Sequence, residues 1–228
     1  MPEQLSREGL TLNKKLIVYL KTDRMITRLT LILSVTLLMC LRASTQIRIY
    51  SNEFLNIGAG SRAFGMGGAQ VASVSDATAG YWNPAGLTGV KNDPSLSLMH
   101  AEYFAGIGKY DFGALAIPVA NNKRTIGLSF LRFAVDDIPN TLYLIEPDGS
   151  VNYANLRSFS SADYAVILSV AQKIKETETT SMSMGVNAKV IHRKVGSFAT
   201  AWGFGLDVGF QMKGKNWSVG AAARDITT

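Results

Sequence analysis

Cysteine is almost absent: Cys40 is the only one in 228 residues. It lies in an apolar run near the N-terminus, so a chain processed beyond it would have no thiol, no disulfide framework and no Cys-based metal site. Histidine is nearly as scarce, and His100 and His192 sit far apart without a partner at ligand spacing, so no metal is expected. Serines are plentiful, yet no Gly-x-Ser-x-Gly elbow occurs. Asp136-Asp137 lacks the ligand spacing of a calcium loop and reads as a solvated loop pair. No catalytic constellation and no cofactor site emerges, and the chain reads as a non-enzyme.

A basic face is missing too. The net charge is +6, but seven of the 23 Lys and Arg lie in residues 1–46 against three acids, which leaves 16 against 14 for the rest. A nucleic-acid partner needs a basic stripe on the folded part, so none is expected.

The N-terminal charge flanks a leader. Leu29 to Leu41 reads LTLILSVTLLMCL without a charge, preceded by Arg24 and Arg28 and followed by Arg42-Ala43-Ser44-Thr45-Gln46. A basic start, an apolar stretch of ~7–15 residues and a small-residue exit describe a secretory signal peptide. The run falls short of the ~20 residues that a membrane-spanning helix needs. Cleavage is expected around Ser44, Thr45 and Gln46, within a leader of 1–46. Met25 opens a compact signal peptide by itself, which makes residues 1–24 a candidate spurious extension.

Residues 47–94 form a Gly-rich segment. Gly58, Gly60 and Ala63 fit a dinucleotide fingerprint, with Asp76 further on, but that reading needs a βαβ unit. The following Tyr81-Trp82-Asn83-Pro84 breaks a helix instead, and nothing later alternates strand with helix. The segment reads as compact and irregular, its glycines allowing tight turns and close backbone packing.

Past residue 94, period-two alternation dominates. In 199–213, Trp202, Phe204, Leu206, Val208 and Phe210 share one face, and Gly203, Gly205, Asp207, Gly209 and Gln211 the other. Met182 to Val190 repeats the pattern. Seven long strands are expected, at 95–104, 108–119, 123–135, 161–173, 181–194, 199–213 and 215–224. The stretch 136–160 reads as a longer loop with a small hairpin around Glu146 to Ser150. Tyr103, Tyr110, Phe133 and Trp217, near strand ends, are candidates for an interfacial girdle. Strands this long suit a membrane barrel, which needs ~9–11 residues to cross, better than the usual ~5–6 of soluble sheets. A soluble β-sandwich is the alternative for the same alternation.

The run Gly58-x-Gly60-Ser61-Arg62-Ala63-x-Gly65-Met66-Gly67-Gly68-Ala69, followed by Asp76-Ala77-Thr78-Ala79-x-Tyr81-Trp82-Asn83-Pro84-Ala85-Gly86-Leu87, resembles the N-terminal signature of the PorV/PorQ family of outer-membrane proteins. It is also similar to the hatch of FadL-type transporters, whose Asn-Pro-Ala motif falls at Asn83-Pro84-Ala85. The resemblance implies an all-β fold: a FadL-like antiparallel transmembrane β-barrel with an N-terminal hatch, in the outer membrane of a Gram-negative bacterium. About seven of fourteen strands are then present, so residues 95–228 are expected to be a partial barrel. The PorV branch implies a binding component of type IX secretion and surface attachment, with secreted cargo proteins and outer-membrane lipid as partners. The FadL branch implies an uptake channel for hydrophobic small molecules. For gating, Asn83, Pro84 and Ala85 are the candidate residues, because Pro sets the turn and Asn can bond its own backbone.

Overall fold

The computed structural model describes residues 52–226. The signal-peptide reading, Cys40 and the cleavage region Ser44, Thr45 and Gln46 lie outside the described residues. Seven strands follow one another: β1 (Ser95–Tyr103), β2 (Gly108–Val119), β3 (Arg124–Asn140), β4 (Arg157–Glu176), β5 (Thr180–Val195), β6 (Ala199–Gly214) and β7 (Ser218–Ala223). They form one antiparallel sheet in chain order, so each strand pairs only with its sequence neighbours and β1 and β7 are its edges. For every pair but β3–β4 the order follows from the connections, since turns of a few residues can join only antiparallel neighbours.

The strands are where the alternation puts them, with two extensions and one shortening: β7 begins at Ser218 instead of 215, because Gly214 N–H bonds Trp217 O and closes a turn there. Beyond a register shift between Val135 and Ile138, β3 continues to Asn140 and pairs there with Arg157 to Phe159 of β4. Asp136 and Asp137 therefore sit at a bulge within a strand, and Asp136 accepts a 2.9 Å bond from Lys109 Nζ. Alternation fades across this bulge because an extra residue on one strand breaks the period of two. Within the remaining connection the expected hairpin shrinks to a single bridge, Ile145 to Val151, around a turn at Glu146.

The segment ahead of β1 holds only short helical turns: Glu53–Asn56, Ser61–Gly65, Ala79–Trp82 and Pro84–Gly89. It packs on one face of the sheet and reaches every strand. Gly60 N–H meets Met99 Sδ on β1, Tyr81 lies edge-on to Phe112 of β2, and Gly80 sits against Ser129 of β3 and Ser169 of β4. Asn187 on β5 and Gln211 on β6 bond its carbonyls, and Val71 abuts Gly220 of β7. A flat sheet would hold β1 and β7 about 29 Å apart, at ~4.8 Å per strand. One small segment touches all seven because the sheet curls around it. The core lies in this concavity, where Tyr81, Leu87, Tyr110, Phe112 and Leu131 pack together.

The two faces of the sheet have opposite character. The concave, buried face carries Thr125, Ser129, Ser169, Asn187, Asp207 and Gln211, each no more than 2 % exposed. The convex face carries Leu98, Leu168, Trp202 and Phe204, exposed by 57–75 %. Three of the girdle candidates face the wrong way for that role: Tyr110 is fully buried, and Tyr103 and Phe133 pack against the core. Strand parity decides this, since each lies an even number of residues from inward neighbours. The convex face instead bears a polar and aromatic row, His100, Asp111, Arg132, Tyr164, His192 and Trp202, directly opposite one another across six strands.

Burial on one face only predicts unequal costs for neighbouring leucines of β3. Leu131→Ala, in the core, should lower stability by about 2–5 kcal/mol, with Leu128→Ala on the convex face costing less than half as much. Guanidinium unfolding midpoints of the two variants check this.

Candidate functional site

The site is the seam between the N-terminal segment and β5–β6, centred on Asn83-Pro84-Ala85. Pro84 opens the helical turn Pro84–Gly89, where its missing N–H is no loss. Asn83 precedes it in extended conformation and caps it, its Oδ1 accepting from Ala85 N–H at 3.1 Å. The Asn-Pro pair in the sequence predicts this local bond. It does not predict the other end of the same amide: Nδ2 donates to Val71 O at 2.8 Å and to Phe210 O of β6 at 3.0 Å. Asn83 thus ties together its own turn, an earlier loop and the sheet, and it is fully buried.

Side chains from the sheet complete the seam. Ser183 Oγ donates to Ala85 O at 3.1 Å, and Asn187 Nδ2 to Gly80 O at 2.8 Å. Gln211 Nε2 bridges Ala72 O at 2.9 Å and Val74 O at 3.1 Å, and Lys213 Nζ reaches Val74 O at 3.2 Å. These carbonyls belong to backbone too irregular to pair within itself, and an unpaired buried carbonyl costs about 1–3 kcal/mol. The sheet therefore needs donors on its concave face.

It also needs room. A Cβ on Gly185 would stand 2.5 Å from the Pro84 carbonyl carbon and 2.6 Å from Ala85 N, and one on Gly209 would collide with Asn83 Oδ1. Both strands can approach the turn only as glycine at these positions. The signal for them was present in the alternation, which puts Ser183, Gly185 and Asn187 on one side of β5 and Asp207, Gly209 and Gln211 on one side of β6. Which carbonyl each would meet depends on contacts from 98 to 139 residues apart.

Beside the seam lies a buried charge cluster. Lys189 Nζ pairs with Asp207 Oδ1 at 2.7 Å and with Asp225 Oδ1 at 2.5 Å. Asp207 Oδ2 also accepts from Asn187 Nδ2 at 2.9 Å, which links the cluster to the Gly80 carbonyl. On the other flank, the Tyr81 hydroxyl donates to Leu55 O at 2.5 Å and accepts from Gly58 N–H at 2.8 Å. Trp82 Nε1 donates to Ala59 O at 2.8 Å, and the two rings meet edge-on at 5.0 Å. Burial pushes the Tyr81 phenol up to about 12.

Neither histidine joins the seam. His100 lies on the convex face with Nδ1 2.7 Å from Asp111 Oδ1, and His192 packs between Tyr164 and Trp202. Among the described residues, no group of three or more His, Cys, Asp or Glu is arranged to hold a metal. All six strand pairings are antiparallel, so Gly58, Gly60 and Ala63 open no βαβ unit. No protein-family model matches the chain, and no curated protein matches it. What the arrangement does chemically is hold: it fastens an irregular segment to a sheet.

Asn83→Ala should cost about 2–4 kcal/mol, because it strands two carbonyls and removes a cap. Amide exchange in residues 70–90 should quicken in that variant far more than exchange in β2 and β3. Tyr81 makes stability fall at alkaline pH. The unfolded chain loses this proton near pH 10 and the folded chain keeps it to about 12, so the native state binds more protons in that window. Tyr81→Phe should flatten the decline between pH 10 and 12, measured as unfolding midpoint against pH.

Proposed function

We propose that the chain is the wall and hatch of an outer-membrane β-barrel of PorV/PorQ type, FadL-like in architecture. The observation that carries this reading is the two-faced sheet: its concave face buries hydroxyls, amides and charges beside an apolar cluster, and its convex face exposes large apolar side chains. In water such a convex face costs free energy at every leucine, whereas in lipid it is the face that belongs outside. No helix among the described residues is long and apolar enough to cross a membrane, which says nothing of crossing with strands. Strands β2 to β6 each have 12 residues or more, beyond the ~9–11 that a tilted crossing needs. In lipid the free edges of β1 and β7 require further strands to pair with, because no water is there to satisfy them.

The segment 52–94 is the hatch in this reading, and the Asn83 seam is its anchorage. Short turns lie at the end where β1 begins, and the connection 141–156 lies at the other, which orients that long connection outward. The row from His100 to Trp202 then bounds the apolar band on the outer side, and Tyr164 and Trp202 are the residue types that favour a membrane interface.

The biochemical role proposed is non-enzymatic binding associated with type IX protein secretion and surface attachment. Its support is the resemblance of Gly65-Met66-Gly67-Gly68-Ala69 and Asn83-Pro84-Ala85-Gly86-Leu87 to the family signature. Secreted proteins that co-purify with the detergent-extracted chain bear on that role, whereas a bound apolar small molecule found by mass spectrometry favours the uptake alternative.

Leu168→Arg tests the membrane reading itself. A cation in mid-band should cost about 2–4 kcal/mol in a bilayer and abolish much of the heat-modifiable gel shift of the inserted barrel. In a soluble sheet the same exposed position would tolerate arginine within about 0.5 kcal/mol, and that outcome would sink the proposal.

A further inference from the structure

A cavity of about 310 Å³ opens at the short-turn end of the sheet, between the Thr88–Lys91 stretch of the N-terminal segment and the turns that join β4 to β5 and β6 to β7. None of the side chains around it is apolar. Lys91, Lys173, Lys213 and Lys215 converge on it, against Glu176 and Glu178. One of these cations is already neutralised, since Lys173 Nζ lies 2.9 and 3.1 Å from the two Glu176 oxygens. Lys213 is different. It is half-buried, and its ammonium meets a carbonyl, Val74 O at 3.2 Å, with no carboxylate partner among the described residues. Among the described residues, Lys91 and Lys215 form no ion pair either.

Four lysines against two glutamates leave this partly desolvated cavity with an excess of positive charge, which costs free energy until an anion joins them. Ligand cavities are ordinarily lined mostly by apolar and aromatic side chains. The lining residues bring aliphatic stems but no apolar or aromatic side chain, and they offer a polar anion ammonium and hydroxyl donors on several sides. Oxyanions are what such donors hold best, through charge-assisted hydrogen bonds.

We infer that this cavity binds a small polar anion bearing phosphate or carboxylate groups, with the half-buried Lys213 as its principal cationic contact and Lys91 and Lys215 closing over it. The site uses the sheet and the N-terminal segment and does not depend on what covers the convex face. Its failure would therefore leave the Leu168→Arg result untouched, and the reverse also holds.

Calorimetric titration of the full chain in detergent micelles tests this with inorganic phosphate, citrate and, as a neutral control, myo-inositol. At least one of the two anions should bind, and which one binds tells phosphate from carboxylate chemistry. Lys213→Met should weaken that binding by about tenfold or more, and Lys213→Arg should keep it within about threefold. If Lys213→Met loses its native gel migration, Lys91→Met at the exposed margin takes its place, with a loss of about threefold. The inference is overturned if neither anion binds, if myo-inositol binds as tightly, or if the charge-removing variant that folds binds like the wild type.

Discussion

Everything in this structure depends on how the backbone of an irregular segment finds hydrogen-bond partners where water cannot reach it. A helix or a strand satisfies its own carbonyls or its neighbour's, but the stretch from Val71 to Leu87 does neither for long. Its carbonyls at Val71, Ala72, Val74, Gly80 and Ala85 are taken up by side chains of Asn83, Gln211, Asn187 and Ser183. Apart from Asn83, these donors come from the sheet's concave face, so that face cannot be an ordinary apolar core. Polar residues are buried here because the segment requires them.

The rest follows from strand geometry. Successive side chains point to opposite faces, so committing one face of β5 and β6 to Ser183, Asn187, Asp207 and Gln211 sends Met184, Val186, Leu206 and Val208 to the other. A curled sheet with polar contents and an apolar exterior is the arrangement suited to lipid. The glycines serve the same end, as Gly185 and Gly209 bring the strands close enough for side chains as short as serine and asparagine to reach the segment's backbone. Lys189, Asp207 and Asp225 extend the logic to charge, since a buried ammonium is tolerated when it is paired on two sides.

Much of the architecture is legible in the sequence. Residue alternation placed all seven strands, and β2 matches its expected bounds at both ends. The Asn83 bond to Ala85 could be anticipated as well, because an Asx residue before proline acts locally. The bulge at Val135 and the added length of β3 and β4 escaped notice, since an unpaired residue resets the alternation. The inward turn of Tyr103, Tyr110 and Phe133 escaped for another reason. Aromatic type and a place near a strand end suggested an interface, whereas the face is set by parity within the strand.

By itself the sequence determined the strand count, the two-faced character of each strand and the small-residue composition of the segment ahead of them, because these are local properties of period and size. Tertiary structure alone decided which face is buried. Amphipathic strands are equally consistent with an apolar core inside and with an apolar surface outside, and only the segment docked against Asn187 and Gln211 chooses between them. It alone also decided where Asn83 Nδ2 points and that four lysines meet around one cavity. Those contacts join residues up to 139 positions apart, and no local pattern encodes a partner at that distance.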